Sequence, residues 1–184
     1  MEKWKIIEET DISPSKWFPI KKHKVKLPNG KIIDDYYITD LNNVGMVLPI
    51  TTKNEVVLVK QYKHGIKDIV IELPAGFQQK NKSIEESALA ELEEETGIRT
   101  NLENLIPIGK IANVPTKSTL VTYGFLATQL EFNSRQNLEV TEDIEIIKRT
   151  PFETVEMIKN GEIIVGDTVA LIMKTYLMFP DIFK

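Results

Sequence analysis

Residues 72–98 read ELPAGFQQKNKSIEESALAELEEETGI, and this stretch decides how the rest of the chain is read. Ser83 is a good helix N-cap, and Glu86 stands three positions on, which makes a capping box. Strong helix formers follow, and Gly97 sits where a left-handed residue would end the helix. At about 100° per residue, Glu91 and Glu95 stack as an i, i+4 pair with Glu94 on the same side. Ala88, Leu89 and Leu92 form the adjacent apolar stripe, and Glu93 points elsewhere, toward water. The reading is a glycine-bearing loop, then a capped helix with several carboxylates on one side. Like charges at this spacing repel, and a bound cation reverses the sign of that interaction. Hard cations such as Mg²⁺ prefer oxygen ligands and meet phosphates through a few carboxylates. The stretch therefore points to a metal site that handles a phosphorylated substrate.

At these residues the chain resembles the Nudix hydrolase family. The family's box is Gly, five residues, Glu, seven residues, then Arg-Glu-aliphatic-any-Glu-Glu-any-Gly-aliphatic. Gly76 fits the first position, and Glu91, Leu92, Glu94, Glu95, Gly97 and Ile98 fit the last part. Two positions depart: Lys82 replaces the first Glu of the box, and Ala90 its Arg. In the family that pair braces the loop and the metal-binding carboxylates. Both partners are lost together here, so neither is left as an unpaired buried charge. Two readings follow: a site braced in another way, or a relaxed site that binds without turnover.

The resemblance extends to a branch that hydrolyses ADP-ribose and related nucleoside diphosphate sugars. It is carried by Val57–Lys63, Glu72–Gly76, Gly161-Glu162-Ile163 and Asp167–Ala170. It implies Mg²⁺ or Mn²⁺ on Glu91, Glu95 and the Ala75 carbonyl, joined by Glu94 and Glu142. It implies substrate contacts at Lys63, Glu72 and Gly76. Lys63 stands where relatives carry a basic residue; a lysine there gives a point charge where an arginine would give a two-pronged contact. In the acidic segment Leu138–Glu145, Glu142 is the first candidate for general base and Glu139 the next. Asn113-Val114-Pro115-Thr116 and the residues after it offer no carboxylate. The implied reaction is hydrolysis of ADP-ribose to AMP and ribose 5-phosphate, with another sugar nucleotide or dinucleotide, or non-catalytic nucleotide binding, as alternatives. The branch also implies a homodimer formed through the N-terminal strands. Trp17, Phe18, Tyr36 and Tyr37 would then either stack on adenine or pack in a sheet or dimer core.

Composition agrees. The chain has 184 residues, 42% of them apolar, which suits one sizeable core with a small appendage. A net charge of −4 without a long basic stretch argues against nucleic-acid binding. There is no cysteine, which removes thiolate chemistry and disulfides. Two histidines, His23 and His64, are too few and too scattered for a His-metal cluster. The first residues do not read as a signal peptide and no apolar run reaches membrane-spanning length, so a cytoplasmic setting is the default expectation.

Alternation and turn signals predict strands over 3–8, 21–27, 31–38, 44–49, 55–62, 69–72, 106–112, 119–130 and 144–149. Helices are predicted over 84–96, 151–160 and 167–179. Pro28-Asn29-Gly30 marks a hairpin. The order predicts an α/β or α+β fold: an α/β/α sandwich around a mixed sheet over residues 44–184, preceded by an antiparallel β-region over 1–43.

Overall fold

The computed structural model describes residues 1–184, which divide into two compact units. The smaller comprises Met1–Asn42 and Ala112–Leu120, and the larger Asn43–Ile111 and Val121–Lys184.

In the smaller unit β1 (Lys5–Asp11), β2 (Ile20–Lys26) and β3 (Ile32–Thr39) form an antiparallel sheet in the order β1-β2-β3. The predicted hairpin is present. Leu27 and Lys31 close it by a backbone bond, and Gly30 takes φ 84°, which a Cβ would resist. Residues 119–121 do not join the strand predicted from 119. The Thr119 N–H instead donates to Thr39 O, and Lys117 O accepts the Thr39 N–H. Every residue of β1 is exposed, Ile6 and Ile7 included.

The larger unit is built on a seven-stranded sheet. Its main path is β10-β5-β4-β9-β8: β10 (Glu145–Arg149), β5 (Val56–Lys63), β4 (Val44–Thr51), β9 (Thr122–Leu130) and β8 (Ile106–Ile111). β6 (Asp68–Glu72) adds to β5, and β7 (Ala75–Phe77) to β4. Only β4 and β9 pair in parallel, so the sheet is mixed as expected. β4 and the first half of β5 (Val56–Val59) read as nearly unbroken apolar runs because both faces of the sheet are covered there. Even-numbered β4 residues Met46, Leu48 and Ile50 pack with Leu171 and Ile172 of α3 (Gly166–Met178) and Met157 of α2 (Pro151–Lys159). Val47, from the opposite face, packs with Ala88 and Leu92 of α1 (Ile84–Thr96). The α/β/α layering follows from that period of two.

Helix α1 follows its local signals. Ser83 Oγ accepts from Glu86 N at 3.1 Å and Glu86 Oε2 from Ser83 N at 2.6 Å. Gly97, at φ 73°, ends the helix. The helix lies close to the sheet: a Cβ on Gly45 of β4 would stand 2.8 Å from Ala88 Cβ and 2.8 Å from Ile84 O. Strand β7 was not foreseen. Gly76, expected in a loop, pairs directly with Gly45, and the segment is too short for an alternating pattern to reveal it. No helix is long and apolar enough to cross a membrane.

Gly45 is where this packing is tightest. Gly45→Ala forces α1 off the sheet and is expected to cost about 1–3 kcal/mol, the usual range for overpacking. Urea denaturation should show a lower midpoint with an unchanged slope. A wild-type midpoint would mean that α1 yields at no cost.

Candidate active site

The close approach continues at Gly76. A Cβ there would meet Glu91 Cδ at 2.0 Å and Oε1 at 2.3 Å, so the Glu91 carboxylate occupies the space that only glycine leaves. One turn on, Glu95 Oε2 accepts the Ala75 N–H at 3.0 Å. Two consecutive residues of β7 are thus met by the stacked pair on α1. Glu95 is 3% exposed, buried for a carboxylate with no cationic hydrogen-bond partner.

Burial and crowding set the proton affinities. Burial pushes Glu95 up to about 8; the Ala75 N–H opposes this, while Glu91 and Glu72 add to it. Burial pushes Glu91 up to about 7, and the Glu94 charge raises it further. Glu142 and Glu139 raise Glu91 as well, while the Gln79 side chain lowers it. Burial likewise raises Glu72, against the nearby Lys63 charge. The Glu72 carboxylate is held at Oε1 by Lys63 Nζ at 2.7 Å and by Gln61 Nε2 at 2.8 Å.

Glu139 and Glu142 reach this neighbourhood through long-range anchoring. The last carbonyls of a helix lack partners within it, and here the segment before β10 supplies donors. Asn137 N donates to Glu94 O at 2.9 Å, Gln136 Nε2 to Glu95 O at 2.7 Å, and Ser134 N to Gly97 O at 2.9 Å. Further along, Glu142 Oε2 accepts the Glu139 N–H at 2.9 Å and Glu142 N donates to Glu139 O at 3.0 Å, a small closed turn. Glu93 departs from its expected place in water. Its Oε1 accepts from Arg99 Nε and Nη2 at 2.9 and 2.6 Å and from Ser134 Oγ at 2.8 Å, so it pins the same segment.

The donor chemistry suits a hard cation. Glu91, Glu95 and the backbone of Ala75 are all oxygen donors, and both carboxyls are pushed toward neutrality by burial and mutual repulsion, a cost a cation would reverse. No three acidic or histidine side chains converge tightly enough to form a ligand cage by themselves. Mg²⁺ ordinarily keeps several waters and takes one or two carboxylates plus substrate phosphates, so the paired glutamates fit that mode.

Sequence reasoning gave no role to Gln61, Gln79, Gln136 or Asp167. Asp167 Oδ2 accepts from Thr122 Oγ1 at 3.1 Å, and its charge raises Glu72. The amides carry no periodic or charge signal; only their partners reveal them.

Two family models match the chain: a nucleoside diphosphate sugar hydrolase N-terminal domain over residues 4–39 and a NUDIX domain over residues 39–169. An ADP-ribose pyrophosphatase of Bacillus subtilis (strain 168) is 28% identical over 160 residues, covering 86% of this chain and 85% of that protein. A methanol dehydrogenase activator of Bacillus methanolicus is 28% identical over 187 aligned positions, 98% of each chain. A mouse (Mus musculus) ADP-sugar pyrophosphatase is 34% identical over 112 residues, covering 55% of this chain and 51% of that protein. In three dimensions, a crystal structure of an ADP compounds hydrolase superposes with a TM-score of 0.84 at 17% identity, covering 98% of this chain and 96% of that one, a likeness of fold.

The proton affinities give a signed expectation. Unfolded, Glu95 loses its proton near 4.5; folded, it keeps it to about 8. The folded chain binds more protons across that window, so metal-free stability falls as pH rises through it. Glu95→Gln removes the charge and keeps an oxygen for the Ala75 N–H. With a chelator present, the variant should be more stable than wild type by at least about 1 kcal/mol above pH 8, with the advantage gone at pH 4.5. Equal stability of the two proteins at high pH would overturn the assignment of a strained, buried charge at this position.

Proposed function

The chain belongs to the Nudix hydrolase family, and from that premise we propose that it hydrolyses the diphosphate of a nucleoside diphosphate sugar, with ADP-ribose as the first candidate. The observation that carries the reading is the stacked pair Glu91 and Glu95, seated over Gly76 and Ala75 of β7. The relatives named as ADP-ribose and ADP-sugar pyrophosphatases support the substrate class.

In this reading Glu91, Glu95 and the Ala75 carbonyl hold Mg²⁺ or Mn²⁺, with Glu94 and Glu142 as further ligands. A cation held there would supply charge neutralisation for the diphosphate and a more acidic water. Lys63 meets the substrate's phosphate as a point charge while Glu72, itself held by Gln61, keeps it in place, and the backbone at Gly76 borders the substrate. Glu142, or Glu139 beside it, takes the proton of the attacking water. The water oxygen bonds to one phosphorus, the bridging P–O bond breaks, and AMP and ribose 5-phosphate leave. Positioning and charge stabilisation supply most of the rate, as in other phosphoryl transfers.

A second reading has its own observations behind it. Lys82 and Ala90 replace the bracing pair of the box, and a relative named an activator of a dehydrogenase matches across 98% of the chain. Here the site would bind ADP-ribose or a similar nucleotide without cleaving it.

The homodimer and the cytoplasmic setting are part of the same proposal. The sheet β1–β3 leaves Trp4, Ile6, Ile7 and Trp17 exposed, Trp17 at 80%, which suits a second copy. The substrate class suits a location inside the cell. Sedimentation equilibrium should give about twice the 21.0 kDa chain mass, and a monomer at all concentrations would end the dimer proposal.

The deciding measurement is a phosphate-release screen over nucleoside diphosphate sugars and dinucleotides with Mg²⁺ or Mn²⁺, with a phosphatase added to free phosphate from the products. ADP-ribose should be cleaved, a chelator should stop it, and Glu95→Gln should abolish it. Binding that raises the melting temperature without product would favour the second reading. Neither cleavage nor stabilisation would remove both readings for this ligand.

A further inference from the structure

Two residues, Leu73 and Pro74, separate β6 from β7, and there the chain changes partners. Glu72, the last residue of β6, pairs with Val59 of β5, and Ala75, the first of β7, pairs with Met46 of β4. Both residues of the crossing are buried, and a buried N–H needs a partner. Proline has no N–H to satisfy, and its carbonyl accepts the Val47 N–H at 3.1 Å. The Leu73 N–H donates to the hydroxyl of Thr168 at 3.1 Å. Thr168 stands on α3, 95 residues along the chain, and is as fully buried as Leu73.

A threonine in a helix commonly turns its hydroxyl back on a carbonyl of the preceding turn. Thr175 of α3 does so, its Oγ1 donating to Leu171 O at 2.8 Å. Thr168 lies in the first turn, and its hydroxyl meets the sheet. The seat of Thr168 is itself fixed. Val165, before α3, gives no side-chain cap. Asp167 acts from inside the first turn: its Oδ1 accepts the Thr168 N–H at 3.0 Å, and its Oδ2 accepts from Thr122 Oγ1 of β9 at 3.1 Å. Asp167 thus ties the start of α3 to β9, and Thr168 ties it to the crossing.

On each side of the crossing stands one part of the candidate site. Before it, Glu72 is held by Lys63 and Gln61. After it, the Ala75 N–H meets Glu95, and Gly76 leaves the space that Glu91 fills. We infer that Thr168 is a positioning residue: its buried hydroxyl fixes the crossing and so places the Ala75 backbone beside the Glu91 and Glu95 carboxylates. The inference rests on the proposed reading of those three residues as metal ligands. A site built on α1 is thereby held from the other face of the sheet.

The test uses Mn²⁺ alone, bound to the full chain and followed by electron paramagnetic resonance and calorimetry well below the melting midpoint of every protein. The proteins are wild type, Thr168→Val, Thr168→Ser and Thr175→Val. Groups that orient metal ligands are worth about 10–100-fold in metal affinity. Thr168 acts through the backbone, so Thr168→Val, which keeps the shape and loses the acceptor, should weaken Mn²⁺ binding by about 10-fold, the lower end of that range. Thr168→Ser keeps the hydroxyl and should retain wild-type affinity. Thr175→Val makes the same change at an equally buried position of the same helix, away from the crossing. It should melt earlier and still bind Mn²⁺ as wild type does. In the chelated protein the Leu73 amide should exchange faster in Thr168→Val than in wild type or Thr168→Ser, followed by nuclear magnetic resonance. A merely structural role predicts that both valine variants melt earlier and both keep wild-type affinity, and that result would overturn the inference. So would equal weakening by Thr168→Val and Thr175→Val, or an unchanged Leu73 amide in Thr168→Val. Should Thr168→Val not fold, Thr168→Cys takes its place, since a thiol is a weak acceptor; it should weaken binding by a smaller factor, and wild-type affinity there would overturn the inference. If the wild type itself takes up no Mn²⁺, the metal reading of Ala75, Glu91 and Glu95 fails and this inference with it, an outcome separate from wild-type binding that the variants leave unchanged.

Discussion

Everything at the candidate site depends on how closely α1 lies against the sheet. Two glycines that pair with each other across β4 and β7, Gly45 and Gly76, permit it. One takes the first half of the helix at Ala88 and Ile84, and the other takes the carboxylate of Glu91. With a side chain at either position the helix would ride higher, and the glutamates would face water where their repulsion costs little. The apolar stripe of α1, through Ala88 and Leu92, supplies the burial that presses it down. The site is thus a by-product of core packing on that face.

That packing leaves an imbalance of charge. Glu91 and Glu95 are forced together away from water, and Lys63, whose charge acts on Glu95, is committed to Glu72. The protein tolerates the arrangement by keeping its carboxyls partly protonated near neutrality, as the raised values for both groups imply. Such displaced proton affinities collect where a chain has been shaped for a ligand more than for its own stability.

The elements whose signals are local were legible in the sequence. Ser83, Glu86 and Gly97 fixed both ends of α1, and Pro28-Asn29-Gly30 fixed the first hairpin, because capping and turn geometry act within a few residues. The expected strands of the larger unit form, with ends shifted by one to three residues. Features settled by partners far along the chain were not legible. Glu93 looked solvent-bound because nothing nearby in sequence marks Ser134 as its partner. Strand β7 was too short to show a period and exists because Gly45 is opposite. Gln79 and Gln136 are uncharged amides, and their importance lies in what they touch. Lys82 was legible as a departure from the family box, but not as a donor to Gln79.

The segment that carries Glu139 and Glu142 is clipped to the end of α1 by Asn137, Gln136 and Ser134. Beyond the clips it is bare: Val140, at its tip, touches almost nothing and is fully exposed. Each doubling of a flexible loop costs only about 0.6 kcal/mol in closure entropy. Residues inserted at that tip would leave the helix carboxylates undisturbed behind the clips and would open only the turn that joins Glu139 to Glu142. Length added there changes the charges that act on Glu91 while the residues of α1 stay as they are.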